Sequence, residues 1–143
     1  KTGADDHESD PEKLATALQE RGFHAVEFIP LRNDVRRLKR FVESFRRRSF
    51  CVTFGTEHNT PHLGPMVPAA RNGVALDEAL RETACRGACI LAAHQQRRSR
   101  GLTGFVDGAG RRQVNEAEIG AFVAEGERAI RQWTETRGNA DGS

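Results

Sequence analysis

Two short runs rich in β-branched and aromatic residues, FHAVEFI at 23–29 and FCVTF at 50–54, are separated by a single amphipathic stretch. That order constrains the fold more than any other feature of the chain. A strand, a helix and a second strand in succession form a βαβ unit, whose strands lie parallel because the helix carries the chain back to its starting end. The first run alternates apolar and polar residues and stops at Pro30; the second stops at Gly55. Between them, Asn33 or Asp34 can cap a helix reaching about Arg48, with Val35, Leu38, Phe41, Val42 and Phe45 on one face.

Helices flank this unit. Ser9 as cap, Pro11 in the first turn and Glu12 at capping-box spacing predict a helix from Pro11 to about Arg21, ended by Gly22. Another is expected from Leu76 to about Arg98, with Asp77, Glu78 and Glu82 early and Arg97 and Arg98 late, as the helix dipole favours. Gly87 is a point where it would kink or split, and the ACILAA run at 88–93 reads as helix, not strand. Gly101 to Gly110 reads as a loop. Asn115 and Glu118 then repeat the capping-box spacing ahead of a last helix to about Arg137, with Ile119, Phe122, Val123, Ile130 and Trp133 on one face. The expected organisation is a flexible tail at 1–9, an α/β body at 10–137 holding two parallel strands and four or five helices, and a second tail at 138–143.

A length of 143 residues suits one domain. With 37% hydrophobic and 29% charged residues the chain is polar for a self-sufficient globule. Two parallel strands seldom stand alone, because such sheets are covered on both faces. Together with a start at Lys1, this leads to the expectation of a segment from a larger α/β protein. The 22 Lys and Arg against 20 Asp and Glu leave a net charge of only +2, so the total gives no support to nucleic-acid binding. The arginines between Arg36 and Arg48 fit the solvated face of an amphipathic helix, and a nucleic-acid-binding basic helix ranks last among the readings. No apolar run approaches membrane-spanning length, and no signal peptide is visible. An odd count of three cysteines, Cys51, Cys85 and Cys89, suits reduced thiols and a cytoplasmic setting.

The loop after the second strand carries the densest chemistry. GTEHNTPHLGPMVP at 55–68 puts Glu57, His58, Asn59 and His62 just beyond the C-terminal end of a strand, where α/β folds gather ligands. A carboxylate and an imidazole can bind a divalent metal, Glu through a hard oxygen and His through a borderline nitrogen. Two ligands fall short of a complete site, and the same residues could equally cap the next turn or pair with arginines. Arg32, after the first strand, could hold a phosphate in two-pronged fashion or bond to backbone. His24 and Glu27 point to opposite sides of their strand, so at most one serves a site, and Glu27 lies nearer the C-terminal end. His94 fits a satisfied helix-end group, and Cys85 and Cys89 fit small-residue packing on one helix face.

The segments GFHAVEFIPLRND at 22–34 and FCVTFGTEHNTP at 50–61, with the helix between them, resemble the closing part of the PHP (polymerase and histidinol phosphatase) domain of metal-dependent phosphoesterases. The resemblance spans about Pro11 to Leu63. It implies the C-terminal part of a distorted TIM-like (β/α)7 barrel and a parent enzyme that hydrolyses small phosphorylated or other anionic substrates with divalent metal ions such as Zn, Mn or Fe. It implies Glu57 and His58 at one edge of the metal cluster and makes Asn59 a candidate weak ligand or substrate contact; Arg32 and His62 are further candidate substrate contacts read from the residues themselves, although a histidine in such a loop more often faces solvent. The family pattern leaves one residue between its acid and its histidine. Here Glu57 and His58 are adjacent, so a direct register puts Asn59 where the family has His. The family's other ligands would lie upstream of Lys1, since His7 stands alone in an acidic tail. The rival expectation is a non-catalytic remnant or binding module, in which the altered pair no longer closes a metal cluster.

Overall fold

A computed structural model of the chain describes residues 10–56 and 67–140, with side chains described to Thr136. It is a mixed α/β structure. The element order is α1 (Pro11–Glu20), β1 (Ala25–Phe28), α2 (Val35–Arg47), β2 (Cys51–Phe54), β3 (Ala69–Ala70), β4 (Val74–Ala75), α3 (Glu78–Ser99) and α4 (Ile119–Ala140). The chain divides into two compact units at Ala84 and Cys85, inside α3.

In the first unit, β1 and β2 pair in parallel with Ala25 opposite Cys51 and Phe28 opposite Phe54, as the strand–helix–strand order requires. Among the described residues this parallel sheet has two strands, and no barrel is formed. One sheet face, through Val26, Phe28, Val52 and Phe54, packs into a core built on the α2 stripe of Leu38, Phe41, Val42 and Phe45. Phe45 is fully buried and meets Phe28 and Phe50 edge-on, at ring-centroid distances of 5.4 and 5.0 Å. The other face is closed over β2, where Cys51 is buried, and open over β1, where Ala25 and Glu27 are exposed. Exposed Phe23 and Leu31 flank the same strand.

The helix caps follow local chemistry. Asp10, not Ser9, caps α1: its Oδ1 accepts from the backbone N–H of Glu12 and Lys13. Ser9 lies outside the described residues, and Glu12 turns to α2, where Arg47 donates at 2.7 Å and Arg48 at 3.2 Å. Between the two expected candidates, Asp34 caps α2 by accepting from Arg37 N–H at 3.0 Å. Asp77 caps α3 the same way through Leu80 N–H. Its carboxylate also pairs with Lys39 of α2. Thus part of the basic face of α2 is spent on carboxylates of its own unit.

A feature not expected from the sequence is the small antiparallel hairpin β3–β4, with Ala70 opposite Val74. Its turn holds Asn72 and Gly73 at φ of 63° and 72°, the left-handed region that Asn and Gly tolerate best.

In the second unit, α3 runs through Gly87 without interruption, in place of the expected kink or split. The Asn115–Glu118 box forms reciprocally: Glu118 N–H donates to Asn115 Oδ1 at 3.0 Å and Asn115 N–H to Glu118 Oε2 at 3.1 Å. Helix α4 continues to Ala140, beyond the expected end at Arg137. Ile119 and Phe122 of its expected face are buried, but Trp133 is exposed. The loop between the helices is ordered around Asp107, whose carboxylate accepts from the N–H groups of Ala109 and Arg111 and from the Arg111 and Gln113 side chains. Phe105 is buried 6.0 Å from the Phe122 ring. Among the described residues no helix is long and apolar enough to cross a membrane.

Candidate functional site

The C-terminal end of the parallel pair is the natural place to look, because side chains and loops leaving both strands converge there. Glu27 is opposite Thr53 in register, and the ladder continues one step further as Gly55 N–H donates to Phe28 C=O at 2.9 Å. The Glu27 carboxylate lies over Gly55: a Cβ on that glycine would stand 2.6 Å from Oε1 and 2.7 Å from Cδ. Gly55 therefore leaves the room in which a carboxylate rests at the strand end. His24 is at the other end of the sheet, where its carbonyl accepts from Cys51 N–H. Of that pair only Glu27 reaches the C-terminal edge.

Arg32 sits on a single 3-10 turn, Pro30–Arg32, at the rim of this edge, and is exposed. Asn33 ties the turn down, donating through Nδ2 to Ile29 C=O at 3.0 Å and accepting at its own carbonyl from Arg71 N–H at 3.0 Å. The Arg71 guanidinium donates to Arg32 C=O at 2.5 Å. The β3–β4 hairpin is thereby fastened to the turn that follows β1, bringing a second arginine to the rim. The Arg71 charge also acts on Asp34. That carboxyl is held below its ordinary value, chiefly by the Arg37 backbone N–H with Arg36 N–H, Arg71 and Arg37 adding to it, against a smaller opposing effect of burial. Arg71 escaped the sequence reading; the Arg-Asn-Gly turn at 71–73 is the signal that could have found it.

Glu57, His58, Asn59 and His62 lie outside the described residues. Among the described residues no three His, Cys, Asp or Glu side chains gather as a metal-binding group. Glu27 supplies a hard oxygen held over a glycine, the kind of donor that a divalent metal takes.

The other candidates resolve into structural roles. His94 Nδ1 accepts from Phe105 N–H at 3.0 Å, and Gly104 packs directly on the imidazole. Cys85 is exposed and Cys89 half-buried. Burial, then the charges of Glu127 and Cys85, push the Cys89 thiol up and away from thiolate reactivity. In the loop, Arg112 lies 5.5 Å from the Phe105 ring centroid and donates to Val114 C=O. Burial lowers its affinity for a proton, and among the described residues its Nη2 has no hydrogen-bond partner.

Comparison of the chain with family models, curated proteins and solved structures finds no match.

Proposed function

We propose that this chain is the closing segment of a PHP-like α/β barrel and contributes one edge of the divalent-metal site of a phosphoesterase. The observation that carries the reading is the Glu27 carboxylate resting over Gly55 at the C-terminal end of a parallel strand pair, immediately before Glu57 and His58. The open face over β1, flanked by Phe23 and Leu31, supports the larger barrel, because a parallel sheet normally has both faces covered. Glu57 and His58 would hold the metal, with Glu27 at its margin. Arg32 and Arg71 on the rim, with Asn59 and His62, would orient an anionic substrate by charge-assisted hydrogen bonds. A bound divalent metal supplies Lewis-acid polarisation and an activated water.

The test is a Mn²⁺ or Zn²⁺ titration of the chain, with hydrolysis of a generic phosphoester by the protein that contains it, beside Glu57→Ala and His58→Ala. A loss of metal affinity of about tenfold or more in each variant supports the reading. Unchanged metal binding and turnover in both would overturn it. Absence of metal binding by the parent itself would favour the non-catalytic remnant.

A further inference from the structure

The second unit contains a cleft of about 490 Å³ beside the first turns of α4, lined among others by Arg97, Thr103, Phe122, Glu125 and Arg128. Arg97 grips Glu125 with two prongs, Nε at 2.9 and 3.0 Å from the carboxylate oxygens and Nη2 at 2.7 Å. The same guanidinium lies 4.9 Å from the Phe122 ring centroid, so it is fixed from two sides. Arg100 and Arg128 add positive charge around Glu125 through space. Three guanidiniums thus act on one carboxylate, Arg97 by direct contact and the other two through space. Glu118, the other acid on the cleft, has one oxygen engaged by Asn115 N–H. On the cleft lining Arg97 and Arg128 balance Glu118 and Glu125, and Arg100 adds its charge from outside the lining.

We propose that this cleft binds a small oxyanion, a phosphate or a carboxylate group, between Arg128 and the pre-set guanidinium of Arg97. The bonds to Glu125 use Nε and Nη2 of Arg97 and leave its Nη1 as a donor edge. Arg128 is an exposed, adjustable donor, and the Thr103 hydroxyl supplies a neutral one. Glu125 has two opposed effects: it holds Arg97 in place, and its charge competes with the ligand.

The opposed effects make the proposal testable by NMR titration of the whole chain with inorganic phosphate and, separately, with acetate. Arg128→Ala should weaken binding about fivefold, since an exposed charge pair is being removed. Glu125→Gln should strengthen it about threefold or more, because the competing charge is lost while an amide still accepts from Arg97. Both arms of the titration responding would assign a general oxyanion site, and phosphate alone a phosphate site. Equal binding by wild type and Arg128→Ala, or weaker binding in Glu125→Gln, would overturn the proposal. Glu57→Ala and added chelator should leave this binding unchanged. Loss of phosphate binding in those two conditions, with Arg128→Ala unaffected, would place the anion at the β1–β2 edge and refute the cleft.

Discussion

Gly126 of α4 lies directly against the backbone carbonyl of Cys89 in α3, so near that no side chain can be added without moving one of the two helices. Rigid backbone stands at this contact, with no flexible side-chain tip to give way. Gly126→Ala should therefore destabilise the second unit by about 1–3 kcal/mol, despite alanine's better helix propensity. Gly120, in the same helix, has open space around it, and Gly120→Ala should be neutral or stabilising by up to about 1 kcal/mol. Urea unfolding of the pair checks this, and similar midpoints for both variants would contradict the close crossing.

Glu12 joins α1 to α2, and its carboxyl is lowered from 4.5 to about 2, first by the hydrogen bond from Arg47 and then by those from Ser44 and Arg48. A depressed carboxyl contributes stability above its unfolded value, and that contribution is lost as pH falls through the folded one. The window is thus between about 4.5 and about 2. Glu12→Gln should make acid unfolding less steep in that interval. Direct NMR titration of the Glu12 side chain should place its midpoint near the lower bound; a midpoint near 4.5 would show that the pairing with Arg47 does not persist in solution.

Phe45 ties α2 to β1 and to the residue leading into β2 through its edge-on contacts with Phe28 and Phe50. Phe45→Ala should cost about 3–5 kcal/mol, with Phe45→Leu clearly milder because it fills part of the same volume. Denaturant unfolding measures both, and a loss below about 1 kcal/mol for the alanine variant would place this ring outside the core.

Gly55→Ala separates site from stability. The added Cβ meets the far end of the Glu27 side chain, which can swing away, so the fold should hold within about 1 kcal/mol. Metal affinity should fall as the carboxylate is displaced from the strand end. Unfolding curves and a Mn²⁺ titration read the two effects independently, and undiminished affinity would remove Glu27 from the proposed site.

The βαβ unit was legible because its signals are local. Val26, Phe28, Val52 and Phe54 fit a strand face, and the α2 stripe recurs at helical spacing, so periodicity located the core-facing sides, although Val35 of that stripe is only half-buried. The last capping box was legible for the same reason, as Asn115 and Glu118 contact each other across one turn. The β3–β4 hairpin escaped notice, since strands of two residues carry no periodicity. Trp133 matched the helical stripe yet is exposed, because the stripe marks a face without saying how far along the helix that face is covered.

By itself, the sequence determined the two strands β1 and β2, the four long helices, the parallel sense of that strand pair, and the run of polar candidates that follows β2 in the chain. Periodicity, capping and connection length decide these within a few residues of chain. Only the tertiary structure decided that Glu12 meets Arg47 and Arg48, that Arg71 is fastened to Arg32, that Glu27 rests over Gly55 and that Gly126 touches the Cys89 carbonyl. Each of these joins residues about 28 to 39 positions apart. Which partners meet across such separations depends on how whole elements pack, and no local pattern encodes that.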